Sequence, residues 1–193
     1  MKNKEPEILP IRIYGDKILR KKSEPVEKIT PELKEFLEDL TYTMYETDGV
    51  GLAASQVGVS KRIFVVDAFW FKEGGSKDPV ILINPEFTEF EGVTEAEEGC
   101  LSLPDIYEKV TRAAKVRIRG LNPDGEMVSY EAEGLFARAL QHEFDHLDGV
   151  LFVDKINKLK KIMIKKKLND LESTTDKNGV NIGKQMHHTH KEL

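Results

Sequence analysis

In the segment QHEFDHLDG, residues 141–149, two histidines stand four positions apart and a glutamate follows the first. On a helix this spacing stacks His142 and His146 on one face, with Cβ atoms about 5–6 Å apart, close enough to share one metal ion. Glu143 lies one step further round. A carboxylate there flanks a metal without ligating it and is placed to take a proton from water. Two imidazoles do not complete a metal site, so the chemistry turns on a third ligand.

In metallopeptidases of the metzincin pattern the third ligand is a histidine three residues past a glycine. Here Gly149 is in register, but the histidine position holds Phe152, whose ring binds no metal. In the gluzincin pattern a later glutamate serves, and Glu172 is the candidate. His187, His188 and His190 fall in a polar C-terminal stretch and read as solvated. The single cysteine, Cys100 in EGCLSLP, remains. A Cys/His/His set with an open fourth position suits a catalytic site, because structural sites fill all four positions with protein ligands. A thiolate leaves the ion with less net charge and acidifies water less, which makes a carboxylate such as Glu143 the more useful.

These residues need a scaffold. Thr30-Pro31-Glu32 is a helix start, with a capping hydroxyl and proline at the first helical position. Leu33, Phe36, Leu37, Leu40 and Met44 follow at helical spacing, and Asp48-Gly49 ends the run. The loop GVGLAASQVGVS leads into strands RIFVVDAF and VILINP, and residues 107–133 read as strands around the turn Asn122-Pro123-Asp124-Gly125. Leu135, Ala139 and Leu140 are spaced for a buried helix through the histidines, with Gly149 as its stop. A last helix spans roughly residues 156–171, its apolar positions including Leu159, Met163 and Leu168. The pattern predicts an α+β fold: mostly antiparallel sheets around a central metal-binding helix, with an N-terminal and a C-terminal helix. Residues 1–172 are expected to form one catalytic domain and residues 173–193 a flexible polar tail.

Composition narrows the partners. The chain has 193 residues, 39% apolar and 33% charged, which supports one globular core. A net charge of -5 gives no reason to expect DNA binding, and no apolar run approaches the ~20 residues of a membrane span. One cysteine forms no intrachain disulfide. The N-terminus carries no secretory pattern, so the terminal HKEL has no retrieval meaning and a cytoplasmic location is expected. Lys155, Lys158, Lys160, Lys161, Lys165, Lys166 and Lys167 crowd the last helix. They read first as a solvated face and second as a ribosome contact.

GVGLAASQ (49–56), EGCLS (98–102) and HEFDHLDG (142–149) together resemble, in order and spacing, the three signature motifs of the peptide deformylase family. The resemblance covers roughly residues 10–170. It implies a metal-dependent hydrolase that removes the formyl group from N-formylmethionyl nascent peptides. It implies one divalent ion per chain, natively Fe2+, with Zn2+, Ni2+ or Co2+ able to substitute. Cys100, His142 and His146 become the ligands and Glu143 the general base and then acid. The Gln56 amide and the Leu101 backbone N–H become oxyanion donors. Val50, Leu101, Leu135 and Ala139 fall at positions resembling the family's methionine pocket, and Glu98 and Arg112 at positions suggesting a pair that holds the Cys100 loop.

Beside the resemblance, Gly49 and Gly51 read either as ordinary loop glycines or as sites of close backbone approach for a strand-like peptide. Asp145 reads as an acceptor for a ligand histidine or as a solvated aspartate. Two alternatives stand: an HExxH metallopeptidase using Glu172, and a peptide- or ribosome-binding module on a decayed enzyme fold. The intact set of Cys100, His142, His146, Glu143 and Gln56 argues against decay. Oligomeric state is not legible.

Overall fold

A strand buried on both faces organises the molecule. In the computed structural model, which describes residues 5–183, Ile63–Val66 forms β2, and all four of its side chains are fully buried. Successive strand residues point to opposite faces. Phe64 and Val66 therefore join one core, and Ile63 and Val65 join another. β2 sits inside a five-stranded antiparallel sheet made with β1 (Gly51–Ala53), β3 (Val80–Glu91), β6 (Lys115–Leu121) and β7 (Met127–Glu133). The spatial order is β1-β2-β3-β6-β7, which leaves β1 as an edge. A separate two-stranded sheet pairs β4 (Thr94–Cys100) with β5 (Leu103–Arg112).

Helix α1 (Pro31–Glu46) covers one face of the large sheet. It starts as expected, with the Thr30 hydroxyl accepting from the Leu33 N–H and Pro31 at the first position. Leu37, Leu40 and Met44 pack against Ile63, Val65 and Ile83. Helix α2 (Gly134–Leu147) covers the other face, with Leu140 and Leu147 against Phe64, Val66, Leu82 and Ile118. Burying both faces makes the central strand read as a continuous apolar run. The expected α+β architecture, antiparallel sheets around a central helix, is the one observed.

Helix α3 (Lys158–Glu172) rests on β5 through a third core of Leu103, Ile106, Val110 and Ile164. Its inner stripe differs from the expected one. Ile164, Leu168 and Leu171 turn inward, whereas Leu159 and Met163 are exposed to 68% and 73%. Among the described residues no helix is long and apolar enough to cross a membrane.

The tail expectation needs correction over residues 173–183. That stretch returns to the domain, and Asn181 is buried. The Asn181 side-chain amide donates to the carbonyls of Tyr14 and Leu171, and its backbone N–H donates to Asp16. Arg12 and Ile182 form a β-bridge. Polar composition hides this docking because the contacts are mostly hydrogen bonds to backbone. His187, His188, His190 and the HKEL terminus lie outside the described residues.

Candidate active site

Cys100 ends β4, and His142 and His146 lie one turn apart on α2. Folding brings their donor atoms together: Cys100 Sγ, His142 Nε2 and His146 Nε2 all lie within 4.8 Å of one another. Sγ is 3.4 Å from His146 Nε2, and the two Nε2 atoms are 3.3 Å apart. Both histidines are buried and Cys100 is half-buried.

Glu98 fixes which nitrogen faces the cluster. Its carboxylate accepts from His142 Nδ1–H at 2.9 Å, which leaves Nε2 as the nitrogen facing the cluster. Burial lowers the His142 pKa, but its bonds to Cys100 and Glu98 outweigh burial and raise it in the ion-free protein, so Nε2 gives up a proton when an ion binds. Burial works to raise the Glu98 pKa. Hydrogen bonds from Arg112 and His142 outweigh it and hold the group at about 2. Arg112 grips Glu98 with Nε and Nη2, at 2.6 and 2.8 Å, in the forked geometry suited to a carboxylate. The Glu98–Arg112 pair expected from the motifs is therefore formed. Burial depresses His146, and the charges of His142 and Arg112 depress it further, which keeps it in the neutral form that ligates. Phe152 stacks on the His142 ring, with centroids 6.1 Å apart.

Two inwardly directed imidazole nitrogens and a sulfur converge at the wall of a cleft that Cys100 and His142 line. That donor set fits a divalent transition metal and leaves room for a further ligand.

Glu143 points beside the cluster. Burial pushes its pKa up to about 7 in the ion-free protein, against the opposing pull of His142 and Arg112. Its Oε2 is buried with no hydrogen-bond partner among the described residues, so it is free for a reactant. Gly51 makes the space: a Cβ there would lie 2.6 Å from Glu143 Oε1 and 2.8 Å from its Cγ. The close approach at Gly51 thus first serves Glu143 itself.

Gln56 lies in the 3-10 turn Ala54–Val57 and is fully buried. Its Oε1 accepts from the Ala53 N–H at 2.9 Å, which turns Nε2 toward Cys100 Sγ (3.4 Å) and Ser102 Oγ (3.1 Å). Gly49, Val50, Gly51, Gln56, Cys100, Leu101, Leu135, Ala139, His142 and Glu143 line one cleft of about 460 Å3. His146 lies behind this wall, fully buried.

Sequence reasoning misses Arg138. Its Nη1 donates to Glu98 and to the Val110 carbonyl, and its Nη2 to the Thr94 carbonyl, so it ties α2 to β4 and β5. The available signal is an arginine one turn before His142, set among the apolar residues Leu135, Phe136, Ala137, Ala139 and Leu140. Asp145 takes neither expected role: it accepts from Arg112 at 2.8 Å and pairs with Lys155. The acceptor on the ligand histidine is Glu98. Glu172 is exposed at the end of α3, against Gly15, and is not among the clustered ligand atoms. The metallopeptidase alternative fails on that geometry.

A family profile described as Polypeptide deformylase matches residues 8–162. The chain is 47% identical over 165 residues to the peptide deformylase of Thermotoga maritima, covering 85% of this chain and 96% of that protein. It is similar to the crystal structure of a peptide deformylase from Legionella pneumophila, with a TM-score of 0.79 and 42% identity over 86% of this chain and 96% of that one. A plant peptide deformylase structure gives a TM-score of 0.82 at 33% identity, over 96% of this chain and all of that chain (100%). These likenesses overturn the metallopeptidase alternative independently of Glu172.

Proposed function

The chain belongs to the polypeptide deformylase family, and we propose on that premise how its own residues carry the reaction. The enzyme is a metal-dependent hydrolase. It adds water across the formyl amide of N-terminal formylmethionine, releasing formate and a free amine. The observation that carries the residue roles is the convergence of Cys100, His142 and His146 beside a carboxylate with an unpartnered oxygen.

Cys100, His142 and His146 are the residues to hold the ion. A bound divalent ion supplies Lewis acidity to the formyl oxygen and lowers the pKa of water. Ferrous iron is our reading for the native ion, with Zn2+, Ni2+ or Co2+ as substitutes. One thiolate and two imidazoles accept each of them. A cytoplasmic location agrees with a single cysteine kept as a thiol.

Glu143 takes a proton from the attacking water and delivers it to the departing amine. Its unpartnered Oε2, buried beside the cluster, is the atom placed for both transfers. As the formyl carbon becomes tetrahedral, Gln56 Nε2 and the Leu101 backbone N–H stabilise the oxyanion. The Ala53 bond already holds Gln56 in the donating orientation, so no reorganisation is needed at that moment.

Val50, Leu135 and Ala139 form the apolar wall for the methionine side chain. β1 is a sheet edge, and a peptide laid beside it adds as a strand. The reading extends to the ribosome through α3, where Lys158, Lys165 and Lys166 have no ion-pair partner among the described residues.

The test is formate release from a formyl-Met peptide by anaerobically purified protein, with an acetyl-Met peptide as control. Formate release that is lost in Glu143→Ala is the expected result. Activity surviving in Glu143→Ala would remove the proposed base.

A further inference from the structure

A loop, residues 67–79, that none of the three motifs includes bonds to the chain at Gly49 and Val50 on the cleft wall. The chain's only tryptophan is in it. Trp70 Nε1 donates to the Gly49 carbonyl at 3.0 Å. At the start of the same loop, the Asp67 backbone N–H donates to the Val50 carbonyl at 2.9 Å. The two carbonyls just before β1 thus accept from one loop, Gly49 from the Trp70 indole and Val50 from the Asp67 backbone.

That loop is itself tied down. Asp67 is buried, and its Oδ2 accepts from the Tyr45 hydroxyl at 2.7 Å and from the Asp78 N–H at 2.8 Å, closing the loop at its base. The Trp70 ring meets the Tyr45 ring edge-on at 5.3 Å, and Lys77 Nζ lies 4.4 Å from the Tyr45 ring centre. The Trp70 ring is therefore backed by Tyr45 as its N–H reaches Gly49.

The consequence follows from ladder geometry. In an antiparallel pair, residues alternately direct both backbone groups at the partner strand or away from it. The Asp67–Val50 bond marks Val50 as facing β2. Gly51, one residue on, turns its N–H and C=O to the free edge. It lies opposite Val66 and lines the cleft. Rotation of the strand at Gly49 would misdirect those two groups.

We propose that Trp70 is a positioning residue for the peptide substrate: its indole N–H pins Gly49 and so aims the free edge of Gly51 at the peptide backbone. The inference rests on reading the cleft as the formyl-peptide site. It adds a contact specific to this loop, acting on substrate binding rather than on the ion or on Glu143 protonation.

Metal-loaded wild type, Trp70→Phe and Glu73→Ala would be compared on formyl-Met-Ala-Ser. Trp70→Phe keeps an aromatic ring and removes the donor. Loss of one hydrogen bond predicts a KM raised about three- to tenfold, with kcat within about twofold and bound metal per chain unchanged. Glu73→Ala, in the same loop, keeps wild-type KM. A Trp70→Phe KM within about twofold of wild type overturns the proposal, as does an equal rise in Glu73→Ala or a fall in kcat that tracks metal loss.

A second measurement needs no variant. Because Trp70 is the only tryptophan, titrating wild type with the product peptide Met-Ala-Ser should change its emission saturably, with a midpoint equal to the peptide's inhibition constant. Unchanged emission at saturating peptide overturns the proposal even if Trp70→Phe fails to fold. Absence of formate release by wild type would instead sink the deformylase reading and this inference together, whereas an active wild type with an indifferent Trp70 sinks only the inference.

Discussion

His142 Nδ1 lies 2.9 Å from the carboxylate of Glu98, and that carboxylate is gripped by two arginines, Arg112 and Arg138. The pair sets the direction of a ligand lone pair from outside the ligand set. The arrangement is a buried ion network, and breaking one member leaves an uncompensated charge. Glu98→Gln keeps the shape but loses the charge that orients the His142 N–H. Metal affinity should fall about 10- to 100-fold, read as Co2+ retention against a competing chelator. Arg112→Ala should also lower retention, because Arg138 alone grips only one of the two carboxylate oxygens. Retention equal to wild type in both variants would remove the orienting role.

The same network makes the stability of the ion-free protein depend on pH through Glu98 and Glu143, beside His142, whose pKa is raised, and His146, whose pKa is lowered. Glu98 titrates at about 2 in the folded state against an ordinary 4.5. Its contribution is present above pH 4.5 and is lost as pH falls toward 2. Arg112, Arg138 and His142 face it. Glu143 has the opposite sign. Its folded value is about 7 against 4.5, so its contribution is whole below pH 4.5 and is lost as pH rises through 7. His142 and Arg112 oppose that shift, and Glu98 and Asp145 add to it. Each contribution is worth on the order of 3 kcal/mol. Urea unfolding of chelator-treated protein from about pH 3 to 8 should show Glu98→Gln flattening the acid flank and Glu143→Gln the neutral one. Swapped or absent effects would contradict the assignment.

Much of this arrangement is legible in the sequence itself. His142, Glu143 and His146 announce themselves by spacing, and the α1 start by Thr30-Pro31. Partners far apart in the chain are not legible in this way. Arg138 and Glu98 are separated by 40 residues and meet only when α2 docks on β4. Glu95, Glu97 and Glu98 belong to strand β4, which the sequence does not announce because acidic residues carry little strand signal of their own. The burial of Gln56 is not legible from its residue type, because one residue's burial is set by the whole fold. Trp70 and Asn181 act through backbone carbonyls, which no residue pattern encodes.

Asn181 ties the end of the described chain to the site at second hand. It holds Tyr14, whose N–H donates to the Ser102 carbonyl, while the Arg12 N–H donates to the Gln56 carbonyl. Asn181→Ala would leave the Tyr14 and Leu171 carbonyls and the Thr174 hydroxyl without this partner. Loss of these bonds should cost about 2–4 kcal/mol, measured as a lower urea midpoint at unchanged slope. A midpoint within error of wild type would mean that the segment is decoration.

Gly51→Ala is the sharpest test of the catalytic geometry, because it adds one carbon at a defined place. The backbone at Gly51 needs no left-handed conformation, so alanine is tolerated by the strand itself. The new Cβ, however, would meet Glu143 Oε1 at 2.6 Å and Cγ at 2.8 Å, both well inside contact distance. Either Glu143 or β1 must move. A displacement near 1 Å at a reacting group costs about 100-fold in rate. The expected result is kcat/KM for a formyl-Met peptide reduced about 100-fold or more, with full metal content and far-UV circular dichroism like wild type. Near-wild-type turnover would show that Glu143 works from another position than the one against Gly51, and its assignment as the base would then have to be argued anew.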